Sequence, residues 1–364
     1  MSHILIDARE LRTSSGRYVE RLLHYLQQID SSHTYTVLLK PEDMDGWKAS
    51  NRHFSKLACP HKEFSFAEQT AMLRQVQGLH ADLVHFAFPQ QPIAYRKKTI
   101  TTVHDLTTAR FDNPAKNWFV FRGKRLTYRS VIKFVTRKSA AVITPSEYVK
   151  EDLAKFARIN SRKINVTYEA AEPLAAKAEP VPELAEADFI MYVGRPNPHK
   201  NLNRLVAAFA ILKQSHPDLK LVLVGKTDFN FRLLQRYVKK LDISDVVFTG
   251  FLPDSQVRWL YEHTNAYVFP SLSEGFGLPA LEAMVHGAPV ASSNATCLPE
   301  IYGEAALYFD PLDPIDIAKV VSRILDKPEV AKDLGRLGKK QVGKYSWQRM
   351  AEETLALYKE ILGE

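Results

Sequence analysis

The feature that most constrains this 364-residue chain is an alternation of short apolar runs with amphipathic stretches, broken once near the middle and then resumed. In the first half the runs are Ile4–Asp7, Tyr35–Leu39, Leu83–Phe86, Ile100–Val103, Ala141–Thr144 and Lys163–Thr167. Each has the length and composition of a buried strand, while Val19, Leu22, Leu23 and Leu26 recur at helical spacing between two of them. Strands separated by helices pair in parallel, with the helices covering the sheet. The segment Glu172–Asp188 carries three prolines and no sustained period, and reads as a linker. Beyond it the pattern restarts with runs at Phe189–Val193, Lys220–Val224, Val246–Phe248, Ala266–Phe269 and Pro289–Ser292, and with helices from Leu202 and near 229–240, 254–262 and 279–287. The expected fold is α/β, with two Rossmann-like doubly wound domains at 1–172 and 188–345. A linker at 173–187 joins them, and a C-terminal helix at 346–364 crosses back to the first domain and packs across both. Ligands of such sheets bind outside the carboxyl ends of the strands, which is where motifs are to be sought.

Composition narrows the function classes. Hydrophobic residues at 45% and charged residues at 25% are those of an ordinary globular protein. No apolar run approaches the roughly 18 residues of a membrane span, and Met1–Asp7 has no basic and apolar leader regions, so a cytoplasmic location is expected. Cys59 and Cys297 stand far apart without a CxxC or a Cys/His set, which suggests neither a disulfide scaffold nor a zinc site. The net charge of +8 is unevenly spread: residues 1–182 hold 28 Lys and Arg against 18 Asp and Glu, and residues 183–364 hold 21 against 23. A basic first half attracts nucleic acid, an anionic membrane or a phosphorylated substrate, and charge alone does not choose among them.

Two segments carry chemistry in the second half. Val193-Gly194-Arg195-Pro196-Asn197-Pro198-His199-Lys200-Asn201 runs from a strand end through a glycine turn to a helix start. Free N–H groups and the positive dipole end at that start, with Arg195 and Lys200, suit a diphosphate; a surface loop with two solvated cations is the plainer reading. The second segment, Ser273-Glu274-Gly275-Phe276-Gly277-Leu278-Pro279-Ala280-Leu281-Glu282-Ala283-Met284, follows the strand Ala266–Phe269. Its glycines permit close backbone approach and Pro279 suits a first helical turn, which would also contain Glu282. Glu274 and Glu282 are then suited to sugar hydroxyls and a ribose diol. In the first half, His104 and Asp105 end a strand, and Thr13-Ser14-Ser15-Gly16-Arg17 follows the first one.

The string SEGFGLPALEAM resembles the E-x7-E signature of glycosyltransferase family 4, retaining nucleotide-sugar-dependent enzymes of the GT-B fold, bacterial mannosyltransferases among them. GRPNPHKN is similar to that family's diphosphate motif, and Phe248-Thr249-Gly250, HGAPVASS, Pro299-Glu300 and Tyr345-Ser346-Trp347 also match, so the likeness covers 187–364 closely and the first half loosely. The resemblance implies that Glu274 contacts the donor sugar and Glu282 the ribose, and that Arg195 and Lys200 stabilise the leaving diphosphate. It further implies that Phe276, Gly277 and Leu278 offer backbone N–H groups, that Gly194 and Gly250 lie in the donor site, and that His104 is an active-site residue. Gly16, Arg17 and Asp105 form a candidate diphosphate or acceptor loop, although family members often have two or more glycines there and this chain has one.

The reaction so implied moves a hexose, GDP-mannose being favoured over UDP-glucose as donor, to a hydroxyl of a glycan or lipid-linked acceptor in polysaccharide biosynthesis. It needs no cofactor and no metal, since cations and a helix start meet the leaving-group charge. The rival class is a catalytically idle GT-B subunit that binds nucleotide sugar, whose hallmark would be loss of Glu274, Lys200 or His104. Val224-Gly225-Lys226-Thr227 lacks the earlier glycine of a Walker loop, no GxGxxG follows a strand, and no nucleic-acid-binding motif accompanies the basic half. Lys116–Lys138 has eight Lys and Arg and no acidic residue, with an apolar stripe at 118, 121, 128, 132 and 135. This suits either an ordinary packed helix or one lying on an anionic membrane, peripheral at the inner face of the plasma membrane.

Overall fold

The computed structural model describes residues 1–12, 16–111 and 118–364. Thr13–Ser15 and Lys116, and the side chains of Trp118 and Phe121, lie outside the described residues. Packing divides the chain into two compact units: Met1–Ala109 with Gly123–Glu169 and Ser346–Glu364, and Arg110–Arg122 with Ala170–Tyr345.

The first unit begins β1 (His3–Asp7), α1 (Gly16–Ile29), β2 (Thr34–Leu39), β3 (Phe54–Ala58), α2 (Leu73–Gly78), β4 (Leu83–Phe86) and β5 (Thr99–Thr102). It continues through α3 (Thr107–Arg110), α4 (Trp118–Lys138), of which the part from Gly123 belongs to this unit, β6 (Ala141–Thr144), α5 (Glu147–Ala157) and β7 (Ile164–Val166). The second contains β8 (Phe189–Val193), α6 (Leu202–Leu212), β9 (Lys220–Val224), α7 (Phe229–Lys240), β10 (Val246–Gly250), α8 (Asp254–His263) and β11 (Ala266–Phe269). There follow α9 (Leu278–Val285), β12 (Val290–Ser293), α10 (Leu298–Tyr302), β13 (Ala306–Phe309), α11 (Pro314–Asp326), α12 (Pro328–Val342) and α13 (Trp347–Leu362).

All pairs in both sheets are parallel, in the orders β3-β2-β1-β4-β5-β6-β7 and β10-β9-β8-β11-β12-β13. In each, strand order reverses once, between β1 and β4 and between β8 and β11, and that reversal opens a crevice at the carboxyl ends where ligands bind. Central strands are buried end to end, as in Leu83–Phe86 and Ala266–Phe269, which is why they read as unbroken apolar runs. The sequence pattern missed one edge strand in each sheet: β3 exposes Ser55 and Lys56, and β13 is only half buried at Leu307 and Tyr308.

The proline-rich segment is not a free tether. Arg258 Nη1 donates to the carbonyls of Leu174 and Ala176 at 3.2 and 3.1 Å, Val181 and Leu184 are buried, and the whole stretch from Ala170 belongs to the second unit. The last helix, α13, capped by Ser346 accepting from Arg349 N at 3.3 Å, belongs to the first unit and packs on α1. The Tyr358 hydroxyl is hydrogen-bonded to His85 Nδ1 at 2.5 Å, and His85 Nε2 lies 2.8 Å from Thr102 Oγ1, which the Tyr18 hydroxyl reaches at 3.1 Å.

Helix α4 divides its charges in a way the sequence did not show. Tyr128, Ile132 and Val135 of the stripe are buried. Arg129 donates to Ala109 O at 3.1 Å and lies over the Phe156 ring, Arg137 Nε donates to Ala157 O at 2.9 Å, and Lys138 Nζ reaches the carbonyls of Pro92, Ile93 and Tyr95 at 3.0 to 3.2 Å. Those cations fasten the helix to its own unit, whereas Arg122, Lys124, Leu126 and Phe134 are exposed.

Candidate active site

In the second unit the loops after β8 and β11 flank the strand-order reversal and are stitched together across it. Leu272 N donates to His199 O at 2.7 Å, and Asn201 Nδ2 donates to Pro270 O at 3.0 Å and to Pro311 O at 2.7 Å. Asn201 is 5% exposed and has φ of 61°, a left-handed backbone that asparagine tolerates. It was quoted within the first motif but not singled out, because its partners are 69 and 110 positions away. The stitching brings Lys200 Nζ to 2.6 Å from Glu274 Oε1, with the two side chains 16% and 12% exposed. Lys200 Nζ also lies 5.5 Å from the centroid of the Phe269 ring. In such shielded surroundings a lysine and a glutamate hold each other ionised and oriented.

The Glu274 backbone is fixed from a third element, the β12–α10 connection: its N–H donates to Thr296 Oγ1 at 3.2 Å and its carbonyl accepts from Cys297 Sγ at 3.4 Å. Cys59 and Cys297 are both free and buried, and burial pushes both thiols up, Cys59 to about 11, so neither is a ready nucleophile. Gly277 starts α9 with φ of 92°, and a Cβ there would lie 2.2 Å from the Tyr302 hydroxyl, which donates to Gly277 O at 2.6 Å. Only glycine serves at this turn. No side chain caps α9, so its start presents the Leu278 N–H, Pro279 having none and Ala280 N donating to Gly277 O at 3.3 Å. Phe276 is buried, edge-on to Tyr345. Since α9 begins at Leu278, Glu282 sits in its second turn and not in the first. The helix dipole therefore does not account for that residue, and it is half-buried. Gly194 follows β8 and donates to Val224 O at 2.9 Å, Gly250 closes β10, and Arg195 is exposed.

In the first unit His104 lies two residues beyond β5, with Nδ1 3.2 Å from Glu169 Oε1 and Nε2 3.2 Å from Ala87 O. The ring meets Tyr18 edge-on at 4.8 Å and Phe88 at 5.1 Å. Glu169 escaped sequence reasoning, since it lies in an unpatterned stretch 65 positions from its partner. Asp105 Oδ1 accepts from Thr107 N at 2.7 Å and so opens α3. Gly16 begins α1 where a Cβ would be 1.9 Å from Leu11 O, a close approach that explains the glycine without a ligand. Arg17 beside it is exposed. Ser146 caps α5 by accepting from Val149 N at 3.3 Å.

The family description "Glycosyl transferases group 1" matches residues 177–341, and "Glycosyltransferase Family 4" matches residues 15–173. The chain belongs to glycosyltransferase family 4. The O-antigen chain mannosyltransferase B of Escherichia coli is 32% identical to this family 4 chain over 182 residues, 49% of this chain and 47% of that protein. Of the Escherichia coli mannosyltransferases it matches, the chain spans 34% to 47% of the length. Among solved structures, sucrose-phosphate synthase from Thermosynechococcus elongatus has a TM-score of 0.80 at 21% identity over 100% of both chains. Anabaena HepE in complex with UDP and glucose has a TM-score of 0.75 at 16% identity over 99% of this chain and 100% of that one. The fold is GT-B.

Proposed function

We propose that this family 4 chain is a retaining hexosyltransferase. It moves a hexose, mannose ahead of glucose, from a nucleotide diphosphate sugar to a hydroxyl of a glycan or lipid-linked acceptor in polysaccharide assembly. The observation that carries the reading is the 2.6 Å Lys200–Glu274 pair, which joins the two donor motifs from opposite sides of the strand-order reversal. Arg195, Lys200 and the uncapped start of α9 meet the negative charge that grows on the departing diphosphate. Glu274 orients the transferred sugar, Glu282 takes the ribose diol, and Gly194, Gly250, Phe276, Gly277 and Leu278 contact the donor through their backbones. His104 is the active-site residue of the first unit. Retention then follows from front-face attack: the acceptor oxygen bonds to the anomeric carbon on the face from which the phosphate leaves, and a phosphate oxygen receives the acceptor proton.

Mannose is preferred because the Escherichia coli relative is named a mannosyltransferase; the HepE complex with UDP and glucose keeps glucose in the test. No metal is invoked, and among the described residues no three His, Cys, Asp or Glu side chains gather into a site fit for one. The enzyme works as a peripheral protein at the inner face of the plasma membrane, with the exposed residues of α4 on the anionic leaflet; no helix among the described residues is long and apolar enough to cross a membrane. The deciding experiment is incubation with a panel of nucleotide sugars, with and without EDTA, scoring thermal shift, hydrolysis and the anomeric configuration of the product. GDP-mannose turnover with retained configuration, undiminished by EDTA, is expected. Binding without turnover of any donor would replace the transferase with an idle nucleotide-sugar-binding subunit, and activity restored only by added magnesium or manganese would overturn metal independence.

A further inference from the structure

We propose that Glu169 is a positioning residue for glycosyl transfer, acting through His104; the inference rests on the reading of His104 as an active-site residue. Glu169 is a carboxylate with a side chain only 8% exposed, and among the described residues its ion-pair partner is His104, itself 13% exposed. Burying a carboxylate this far is costly unless a donor meets it, and the Nδ1 of His104, at 3.2 Å, is that donor.

The other ring nitrogen is also committed. Nε2 lies 3.2 Å from the carbonyl oxygen of Ala87, and a carbonyl, like an ionised carboxylate, only accepts. Tyr18, edge-on at 4.8 Å, and Phe88, at 5.1 Å, pack against the ring and fix its plane.

The surrounding titratable groups leave this arrangement to Glu169. Asp105 spends Oδ1 on Thr107 N at 2.7 Å, the Tyr18 hydroxyl is engaged with Thr102 Oγ1 at 3.1 Å, and His85 is held neutral, pushed down to about 3 by burial and by its proximity to His104. With both nitrogens tied to the protein, His104 is not free to take the acceptor's proton. It contributes a fixed ring edge, and Glu169 sets where that edge points. This leaves deprotonation of the acceptor to the leaving phosphate, as front-face attack requires.

The test is a double-mutant cycle on the full chain, with the donor identified by the panel, using Glu169→Gln, His104→Gln and the double variant. Turnover, KM for the donor and affinity for the free nucleoside diphosphate are measured beside the melting midpoint. Each single change is expected to lower kcat by roughly tenfold or more, within the coupling range of contacting residues, with nucleotide affinity unchanged. The double variant is expected to be no slower than His104→Gln alone, because removing Glu169 costs nothing once the ring it aims is gone. Losses that multiply in the double variant, or full activity in Glu169→Gln beside a slow His104→Gln, would overturn the positioning role. Full activity in His104→Gln would instead remove the reading of His104, and the inference with it. If Glu169→Gln fails to fold, Glu169→Asp, which keeps the charge but withdraws it from the ring, is judged by the same cycle.

Discussion

At the scale of single residues, Lys200 and Glu274 neutralise each other at 2.6 Å while largely shielded from water, so truncating either leaves a poorly hydrated charge as well as a missing ligand contact. Glu274→Ala and Lys200→Ala are each expected to lower kcat by roughly 100-fold or more, the scale seen when a preorganised electrostatic contact is removed. Steady-state rates with the preferred donor check this, and near-normal turnover in Glu274→Ala would remove the sugar-contact assignment. Gly277 makes a stability prediction. Alanine there must adopt φ of 92° and place its Cβ 2.2 Å from the Tyr302 hydroxyl, and the backbone strain alone is about 1–3 kcal/mol. Gly277→Ala should lower the denaturant midpoint, and adding Tyr302→Phe should restore part of the loss by removing the clashing oxygen. The glycine was legible in the sequence because its chemistry is local. Glu169 and Asn201 were not, because what each does depends on a partner brought near by folding.

At the scale of elements, hydrophobic period found the central strands and the principal helices, and it failed at β3 and β13, each with a neighbour on one side alone and a partly exposed face. It also could not divide the charges of α4. Arg129, Arg137 and Lys138 are tied to carbonyls of their own unit, and the proposed membrane contact is tested at Arg122, Lys124 and Arg125, beside Leu126, which is exposed at 67%. Co-sedimentation with vesicles is expected to require anionic lipid, to weaken with salt and to fall when those three cations become Gln. Equal recovery with neutral vesicles would withdraw the membrane contact. The seam between α13 and the first sheet carries a pH dependence. Burial holds His85 at about 3 instead of its ordinary 6.5, so the unfolded chain takes up the proton first as pH falls. Stability is full above pH 6.5 and declines toward pH 3, by up to about 1.4 kcal/mol per pH unit. Urea titrations between pH 7 and 4 should show that slope, and His85→Gln should flatten it.

At the scale of the whole molecule, the first unit is assembled from three stretches of chain, the last of them Ser346–Glu364, while the second is nearly continuous from Ala170 to Tyr345. Removing residues 346–364 strips the first unit of the helix that covers α1 and supplies the Tyr358 hydroxyl to His85. Scanning calorimetry of the shortened chain is expected to show the first unit's transition lowered or lost and the second's kept. Coincident loss of both would show that the units do not melt independently.

The sequence by itself determined the α/β class, the doubling of the unit and the two donor motifs. These rest on local properties: the period of apolar residues, the turn chemistry of glycine and proline, and residue types at fixed spacing. Tertiary structure alone decided which motif residues meet, that the proline-rich segment is fastened to the second unit by Arg258, and that Arg129, Arg137 and Lys138 of α4 are structural. It also decided that His104 has a carboxylate behind it. The physical reason is one of range: strand order and the crevice at its reversal are properties of long-range pairing, and the pairs that matter here, such as Lys200 with Glu274 at a separation of 74 residues, leave no periodic trace along the chain.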